Sequence, residues 1–390
     1  MKNQKHILFI SSWYPNRNNL THGIFNFYLA QAASIYNKVS VIHVCSDEQL
    51  KQKFELVNTQ NENIHTIIVY YQKIKSKMPV ISQWQKRNRL IEAFDLGYQE
   101  LLKSSEPPQL IQLNVVLPAG LGALYLSKKH HLPLVVNENW SGYTKEDGNY
   151  KGFFVKYFTQ KIIASAKKIM PTSTYLKEAM LEHSLKGDYQ VVPNVVDVKK
   201  FVPLQKKLSP HFRLIHISSL IEREKNVSGI LRAFKQALLL NSNLELVIVG
   251  GDENKNSFIQ LAHELNIHKQ VIFKGRLTSE QVVSEMNQAN ALIMFSHYET
   301  FCLVIIEAFA CGKPVITSNA GAIPSYMTNQ LGIMVEKNNE LQLTEAILKL
   351  AHDPNQFDSQ VIRKFAEQYS YENIGAQLND IYNSVLTSLK

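Results

Sequence analysis

The feature that most constrains this chain is an alternation that runs twice along its length. Short apolar runs, of the kind that form buried parallel strands, are separated by stretches with helical periodicity. The first series is HILFI, VSVIHV, HTIIVYY, QLIQL, LPLVVN, KKIMPT and YQVVP. The second is FRLIHIS, LELVIVG, QVIFKG, ALIMFS, PVITS and LGIMV. Most neighbours leave room for one helix, which predicts doubly wound α/β units with right-handed crossovers. The series restarts after PNVVDVKKFVPLQKKLSPHF, a segment with three prolines and four lysines that reads as a linker. A length of 390 residues suits two domains. The expected division is 1–198, a linker at 199–210, a second domain at 211–370, and a C-terminal helix at 371–390 with the option of packing back on the first domain. Two such units would face each other across a cleft lined by the carboxyl ends of their strands, where open α/β sheets take ligands.

Charge divides along the same line. Residues 1–200 hold 25 Lys and Arg against 15 Asp and Glu, whereas residues 201–390 hold 17 against 18. Different partners are therefore expected for the two halves. Neither a nucleic-acid motif nor aromatic pairs on a strand pattern accompany the basic half, so nucleic acid is not the expected partner. The positive residues gather in YYQKIKSKMPVISQWQKRNR, with Lys73, Lys75, Lys77, Lys86, Arg87 and Arg89 around Trp84. That cluster suits an anionic membrane surface. In a second cluster, KGFFVKYFTQKIIASAKK, the residues Phe154, Phe158 and Ile162 share one helical face. There the expectation leans toward a face buried in the domain, with lysines solvating its edge. No window has the apolar length of a membrane span. The start, MKNQKHILFISSWYP, reads as a buried strand, not a signal peptide. Cys45, Cys302 and Cys311 have neither paired nor metal-binding spacing, which favours a reducing cytoplasm.

The stretch ETFCLVIIE, 299–307, places two carboxylates around an apolar run. ALIMFS reads as a strand, HYET as the loop after it, and FCLVIIEAFACG as a helix ending at Gly312. Glu299 then lies on the loop at the cleft and Glu307 within the first two helical turns. A helix start facing a cleft favours an anion such as phosphate. A carboxylate beside bound phosphate makes sense if it accepts hydrogen bonds from ribose hydroxyls, and Glu299 could do the same for a sugar beyond. The duller reading is a pair of exposed helix-end carboxylates; it suits Glu299 alone better than Glu307, which is flanked by Ile305, Ile306, Ala308 and Phe309.

The run from Phe295 to Pro324 resembles the donor-site signature of the retaining GT-B glycosyltransferases of family 4. It carries Ser296, Glu299, Glu307-Ala308, Gly312-Lys313-Pro314-Val315 and a turn from Gly321 to Pro324. VVPNVVDVKKFVP is similar to the family's linker, with Pro193, Asn194, Asp197, Phe201 and Pro203 in place. LIHISSLIEREKNVSGILRAF and LELVIVGGDE resemble its first two C-domain strands and turns. WYPNRNNLTHGIFNFYLAQAA, with Gly23, and PLVVNENWSGY extend the likeness to nearly the whole chain.

The resemblance implies transfer of a sugar from a nucleoside diphosphate to an acceptor hydroxyl, with retention and with neither cofactor nor metal. No Asp-x-Asp arrangement suited to a magnesium-bound diphosphate is present. The catalytic candidates are Glu299, Lys225 and Asn139. Donor binding falls to Glu307, Arg223, Phe301, Cys302, Leu303, Gly250, Gly275 and Arg276, and the acceptor side to Gly23 and Glu138. Lys225 matches the family's phosphate-binding lysine. The partner arginine would stand near Ser218 or Ser219 and is missing; Arg223 is the candidate replacement, with a solvated loop residue as the alternative. Gly23 reads equally as a helix-entry glycine. Cys302 stands where the family commonly has glycine, and its sequence neighbours supply no base that would make it a nucleophile. Asn139 replaces a histidine near the transferred sugar; it can donate and accept hydrogen bonds but cannot transfer a proton near neutral pH.

The resulting expectation is a GT-B glycosyltransferase of two doubly wound Rossmann-like domains. It would use a UDP-sugar ahead of a GDP-sugar, on a glycan or lipid-linked acceptor of bacterial surface polysaccharide: capsule, O-antigen or lipopolysaccharide. It would be cytoplasmic and peripheral at the inner membrane face. A catalytically weakened GT-B subunit that partners another glycosyltransferase is the alternative, motivated by Asn139, Cys302, the missing arginine and Ser325, which stands where the family often has glutamate. A nucleotide-sugar epimerase is a more distant one.

Overall fold

A computed structural model describes residues 4–61, 63–74, 79–204, 209–251 and 255–388. The chain folds as two compact units: Met1–Val195 together with Tyr371–Lys390, and Val196–Ser370. The first unit holds strands β1 (His6–Ser11), β2 (Lys38–Asp47), β3 (Phe54–Asn61), β4 (Ile64–Gln72), β5 (Leu110–Asn114), β6 (Leu134–Glu138) and β7 (Lys168–Pro171). They form one sheet in the order β3-β4-β2-β1-β5-β6-β7, parallel apart from β3. The second unit holds β8 (Phe212–Ile217), β9 (Leu244–Val249), β10 (Val271–Gly275), β11 (Ala291–Met294), β12 (Val315–Ser318) and β13 (Gly332–Val335). Their order is β10-β9-β8-β11-β12-β13, all parallel. In both sheets the chain reverses its winding beside the first strand, the switch point that leaves room for a ligand at the strands' carboxyl ends.

The apolar runs become strands because both faces of each sheet are covered. In β1, Leu8 and Ile10 pack with Ile42, Phe94 and Leu113 on one face. Ile7 and Phe9 pack on the other with Leu29, Ala33, Leu378 and Tyr382, from the helices Ile24–Ser34 and Tyr371–Thr387. The last helix approaches so closely that a Cβ on Gly375 would lie 2.2 Å from the carbonyl oxygen of Ala32.

Two strand readings differ from the structure. YQVVP makes a single bridge, Tyr189 to Ile169, and no strand. Gln190 and Val192 donate to Ile169 and Pro171 at 2.9 and 3.0 Å, and Pro193 then has no N–H with which to continue. β3 has no counterpart in the expected series. Its sequence, FELVNTQN, is half-buried to exposed, and an antiparallel edge strand needs no apolar run. The first unit breaks off at Val195, and Val196, Val198 and Phe201 already pack in the core of the second unit. Of the linker reading, residues 205–208 lie outside the described residues.

Candidate functional site

In the second unit the candidate residues sit on loops that leave the carboxyl ends of β8 to β12. Glu299 follows β11 and is 7% exposed. Its Oε1 accepts hydrogen bonds from Ser296 Oγ and from Lys225 Nζ, each at 2.8 Å. The backbone holds the loop from both sides: His297 N–H donates to Glu224 O at 2.8 Å and Ala322 N–H to Glu299 O at 2.9 Å. Gly321, with φ of 54°, permits that second contact, because a Cβ there would lie 2.1 Å from the Glu299 carbonyl oxygen. The glycine turn thus closes on the Glu299 loop, whatever else it meets.

Lys225 and Glu299 have separate expected duties, phosphate and sugar, yet the structure joins them as one ion pair. Lys225 ends the short helix Glu222–Lys225 and crosses 74 positions of sequence to reach its partner. Burial pulls its pKa down, but Glu299, by charge and hydrogen bond, together with Cys302 and Glu224 holds it above the ordinary lysine value. The lysine is therefore a fixed, oriented cation. Arg223 is exposed on the same short helix, two positions before Lys225.

Glu307 has the opposite circumstances. It is the fifth residue of the helix Leu303–Ala310, half-buried between Ile306 and Ala308, which are fully buried. Among the described residues nothing donates a hydrogen bond to its carboxylate, and burial pushes its pKa up to about 7 while Lys200 pulls it down. A half-buried carboxylate without donors is costly unless a ligand supplies them. The helix begins at Cys302, whose φ of 70° and ψ of 74° are left-handed, with no side chain capping the start. Its first N–H groups are the unpaired donors that a helix start leaves for an anion. Burial pushes the Cys302 thiol well above its ordinary pKa and Glu299 adds to the rise, so the sulfur is no thiolate nucleophile.

Other donor-side candidates serve the frame. The Phe301 ring is 3% exposed, 5.8 Å from Tyr326 and 5.5 Å from Tyr369, and its carbonyl accepts the Tyr326 hydroxyl at 2.6 Å. Its ring therefore packs into the core beneath the Glu299 loop. Leu303 is half-buried against the same core. Gly250 has φ of 139°, and a Cβ on it would lie 2.0 Å from Ser218 O. Gly250 N–H donates to Gly275 O, and Arg276 Nε donates to Gly251 O, both at 2.9 Å, so these two turns are tied together. Tyr326 and the Ser296 hydroxyl are contributors to which sequence reasoning gave no duty; a lone tyrosine in SYMT carries no signal of its own.

In the first unit Glu138 is completely buried at the end of β6. Its carboxylate accepts from Val116 N, Asn139 N, Trp140 N and Tyr143 Oη at 2.8 to 3.2 Å. Burial raises its pKa against those four bonds. Its carboxylate is spent on shaping the 139–143 turn. Asn139 is 7% exposed and donates to Asn137 Oδ1 at 2.9 Å, while its own Oδ1 has no partner. Gly23 precedes the helix Ile24–Ser34 with φ of 64°, and a Cβ would lie 2.5 Å from the Trp13 carbonyl group. Steric contact with Trp13 is enough to account for it.

Among the described residues no group of three or more His, Cys, Asp or Glu could hold a metal ion. Among them, too, no helix is long and apolar enough to cross a membrane. Of the first basic cluster, Lys75 and Lys77 lie outside the described residues, and Lys73 is ion-paired with Glu48. The second cluster corrects the expectation of a buried aromatic face. Ile162 is buried and Phe158 half-buried, but Phe154 is 57% exposed.

Residues 204–369 match the family model of Glycosyl transferases group 1. The chain is 22% identical, over 96% of its own length and 94% of the relative's, to the putative teichuronic acid biosynthesis glycosyltransferase TuaC of Bacillus subtilis. A sucrose-phosphate synthase from Thermosynechococcus elongatus superposes with a TM-score of 0.77 at 19% identity, covering 99% of this chain and all of that one. Anabaena HepE, solved with UDP and glucose, superposes with a TM-score of 0.73 at 16% identity, covering 98% of this chain and all of that one.

Proposed function

We propose that this chain, which belongs to the group 1 glycosyltransferases and has the GT-B fold, transfers a sugar with retention from a nucleoside diphosphate, without a metal, to a hydroxyl of a glycan or lipid-linked acceptor. The observation that carries the reading is the contrast between its two glutamates. Among the described residues Glu307 has no hydrogen-bond donor, and it lies on a helix with an uncapped start, as a site for ribose hydroxyls and diphosphate requires. Glu299 Oε1 accepts from Lys225 and Ser296, and the carboxylate also takes a hydrogen bond from the Cys302 thiol, so the transferred sugar would be held by its remaining acceptor capacity. Lys225, with the N–H groups at Cys302 and Leu303, would stabilise charge building on the departing diphosphate. Among the described residues no enzymic base is assigned, and the donor's own phosphate would take the acceptor's proton. UDP is preferred to GDP, in line with the UDP in the HepE structure. The teichuronic acid assignment of TuaC supports bacterial surface polysaccharide as the setting.

The test is a thermal-shift panel of UDP, GDP, ADP and CMP, with and without EDTA, on the wild type and Glu307→Ala. A nucleotide at ~100 times its Kd should stabilise by about 2.7 kcal/mol. One diphosphate is expected to shift the wild type, unaffected by EDTA, and to lose its effect on the variant. No shift by any nucleotide would overturn the donor site.

A further inference from the structure

The helix Phe153–Ser165 of the first unit presents large aromatic side chains to solvent. Phe153 is 76% exposed, Phe154 57% and Tyr157 39%. The helix turns Thr159, Ile162 and Ile163 inward, and the outward side begins with these rings. They are held together: Phe153 stacks on Tyr157 at 6.0 Å with 14° between planes, and meets Phe154 edge-on at 5.7 Å. Just before them Gly152 has φ of 90°, and a Cβ there would meet nothing within 4 Å. The rings therefore stand exposed at the start of the helix, beside open space at Gly152.

Their surroundings are positive. Lys151, Lys156 and Lys161 are exposed on the same segment, and the helix contains no acidic residue. Lys161 Nζ lies 4.5 Å from the Tyr157 ring centroid. Arg87 lies 5.9 Å over Phe158, which brings in the helix Pro79–Ser104. One turn before Arg87 on that helix, Trp84 is 62% exposed. Exposed aromatic rings at a tip, ringed by lysines, match the interfacial layer of an anionic bilayer. The rings enter the boundary between headgroups and acyl chains, and the ammonium groups remain at the phosphates.

We propose that Phe153, Phe154 and Tyr157, with Trp84 and the lysines around them, form a membrane-docking tip for an anionic lipid surface. This assigns a place to the lipid-linked acceptor of the function proposed above, and rests on that reading only for its purpose. Docking itself can be measured without donor or acceptor.

The experiment is co-sedimentation of the full chain with phosphatidylcholine vesicles, with and without phosphatidylglycerol, at low and high salt. Light scattering of the protein alone is run beside it. Wild type should bind the anionic vesicles, and weaken with salt. Phe153→Ser/Phe154→Ser/Tyr157→Ser should lower partition by at least ~30-fold, and Lys156→Glu/Lys161→Glu by at least ~25-fold. Both variants should keep the wild-type melting temperature and nucleotide response, since none of these residues belongs to the donor site. No vesicle binding by the wild type, equal binding to neutral vesicles, or unchanged partition in the aromatic variant would each overturn the proposal. So would a wild-type dimer that the serines abolish while vesicle binding stays put, which would assign the tip to a second copy. Vesicle binding without any nucleotide shift would leave docking standing and remove the donor site; the reverse result would do the opposite.

Discussion

Replacing Glu307 by glutamine should make the ligand-free protein more stable, and by an amount that depends on pH. Glu307 is a half-buried carboxyl without hydrogen-bond donors among the described residues, and its pKa is raised from 4.5 to about 7. Between those two values the native state holds a proton that the unfolded chain has released, so stability falls as pH rises. The contribution of this group is whole below pH 4.5 and lost as pH climbs through 7. The full shift corresponds to ~3.4 kcal/mol at 1.36 per unit. Partial contact with water reduces this to about 2 kcal/mol. For a unit of this size that is about 5 °C in melting temperature. Glutamine keeps the shape and removes the charge. The assay is thermal melting of both proteins from pH 5 to pH 8.5, read as the difference between them so that other titrating groups cancel. The glutamine variant should gain little at pH 5 and about 5 °C at pH 8.5, and should lose its nucleotide shift throughout. A gap that does not change with pH, or a variant less stable at pH 8.5, would refute the reasoning: Glu307 would then have partners or hydration that the geometry does not show.

Three further outcomes follow from the same geometry. Glu138→Gln sets an amide N–H₂ against donors that all point at a carboxylate, and should cost roughly 2–4 kcal/mol in chemical denaturation of the first unit. Gly321→Ala places a Cβ 2.1 Å from Glu299 O at a φ of 54°, and should lower both the melting temperature and kcat, because the Glu299 loop has to move. Lys225→Met removes the fixed cation and leaves Glu299 buried without its charge partner; kcat for sugar transfer should fall by on the order of 100-fold or more, measured against the intact donor.

The parallel strands were legible because a strand buried on both faces has to be apolar throughout, as Leu8 and Phe9 are on opposite sides of β1. β3 was not, because an edge strand can be polar, and FELVNTQN is. For the candidate site, the order of residues carried the places of Glu299, Glu307 and Lys225 along the chain but not their mutual contacts. Nothing in linear sequence says that Lys225 will ion-pair with Glu299. The environment of Glu138 was hidden for a related reason: its donors are mostly backbone N–H groups, which every sequence supplies equally. Phe154 was misplaced because helical periodicity reports which residues share a face, not whether that face is covered near the helix tip.

The helix Tyr371–Thr387 closes the core of the unit that the chain began. Seen from the ribosome, the first unit cannot be finished when Val195 emerges. The face of β1 and β2 made by Ile7, Phe9, Val39 and Val41 must wait for Ile374, Leu378 and Tyr382, with the whole second unit made in between. At typical synthesis rates that interval is about 10–40 s. During it, an apolar sheet face stays open to chaperones and to other nascent chains. Removing the last helix should therefore damage the amino-terminal unit, and a stop codon near residue 370 should yield a chain whose second unit folds and whose first aggregates.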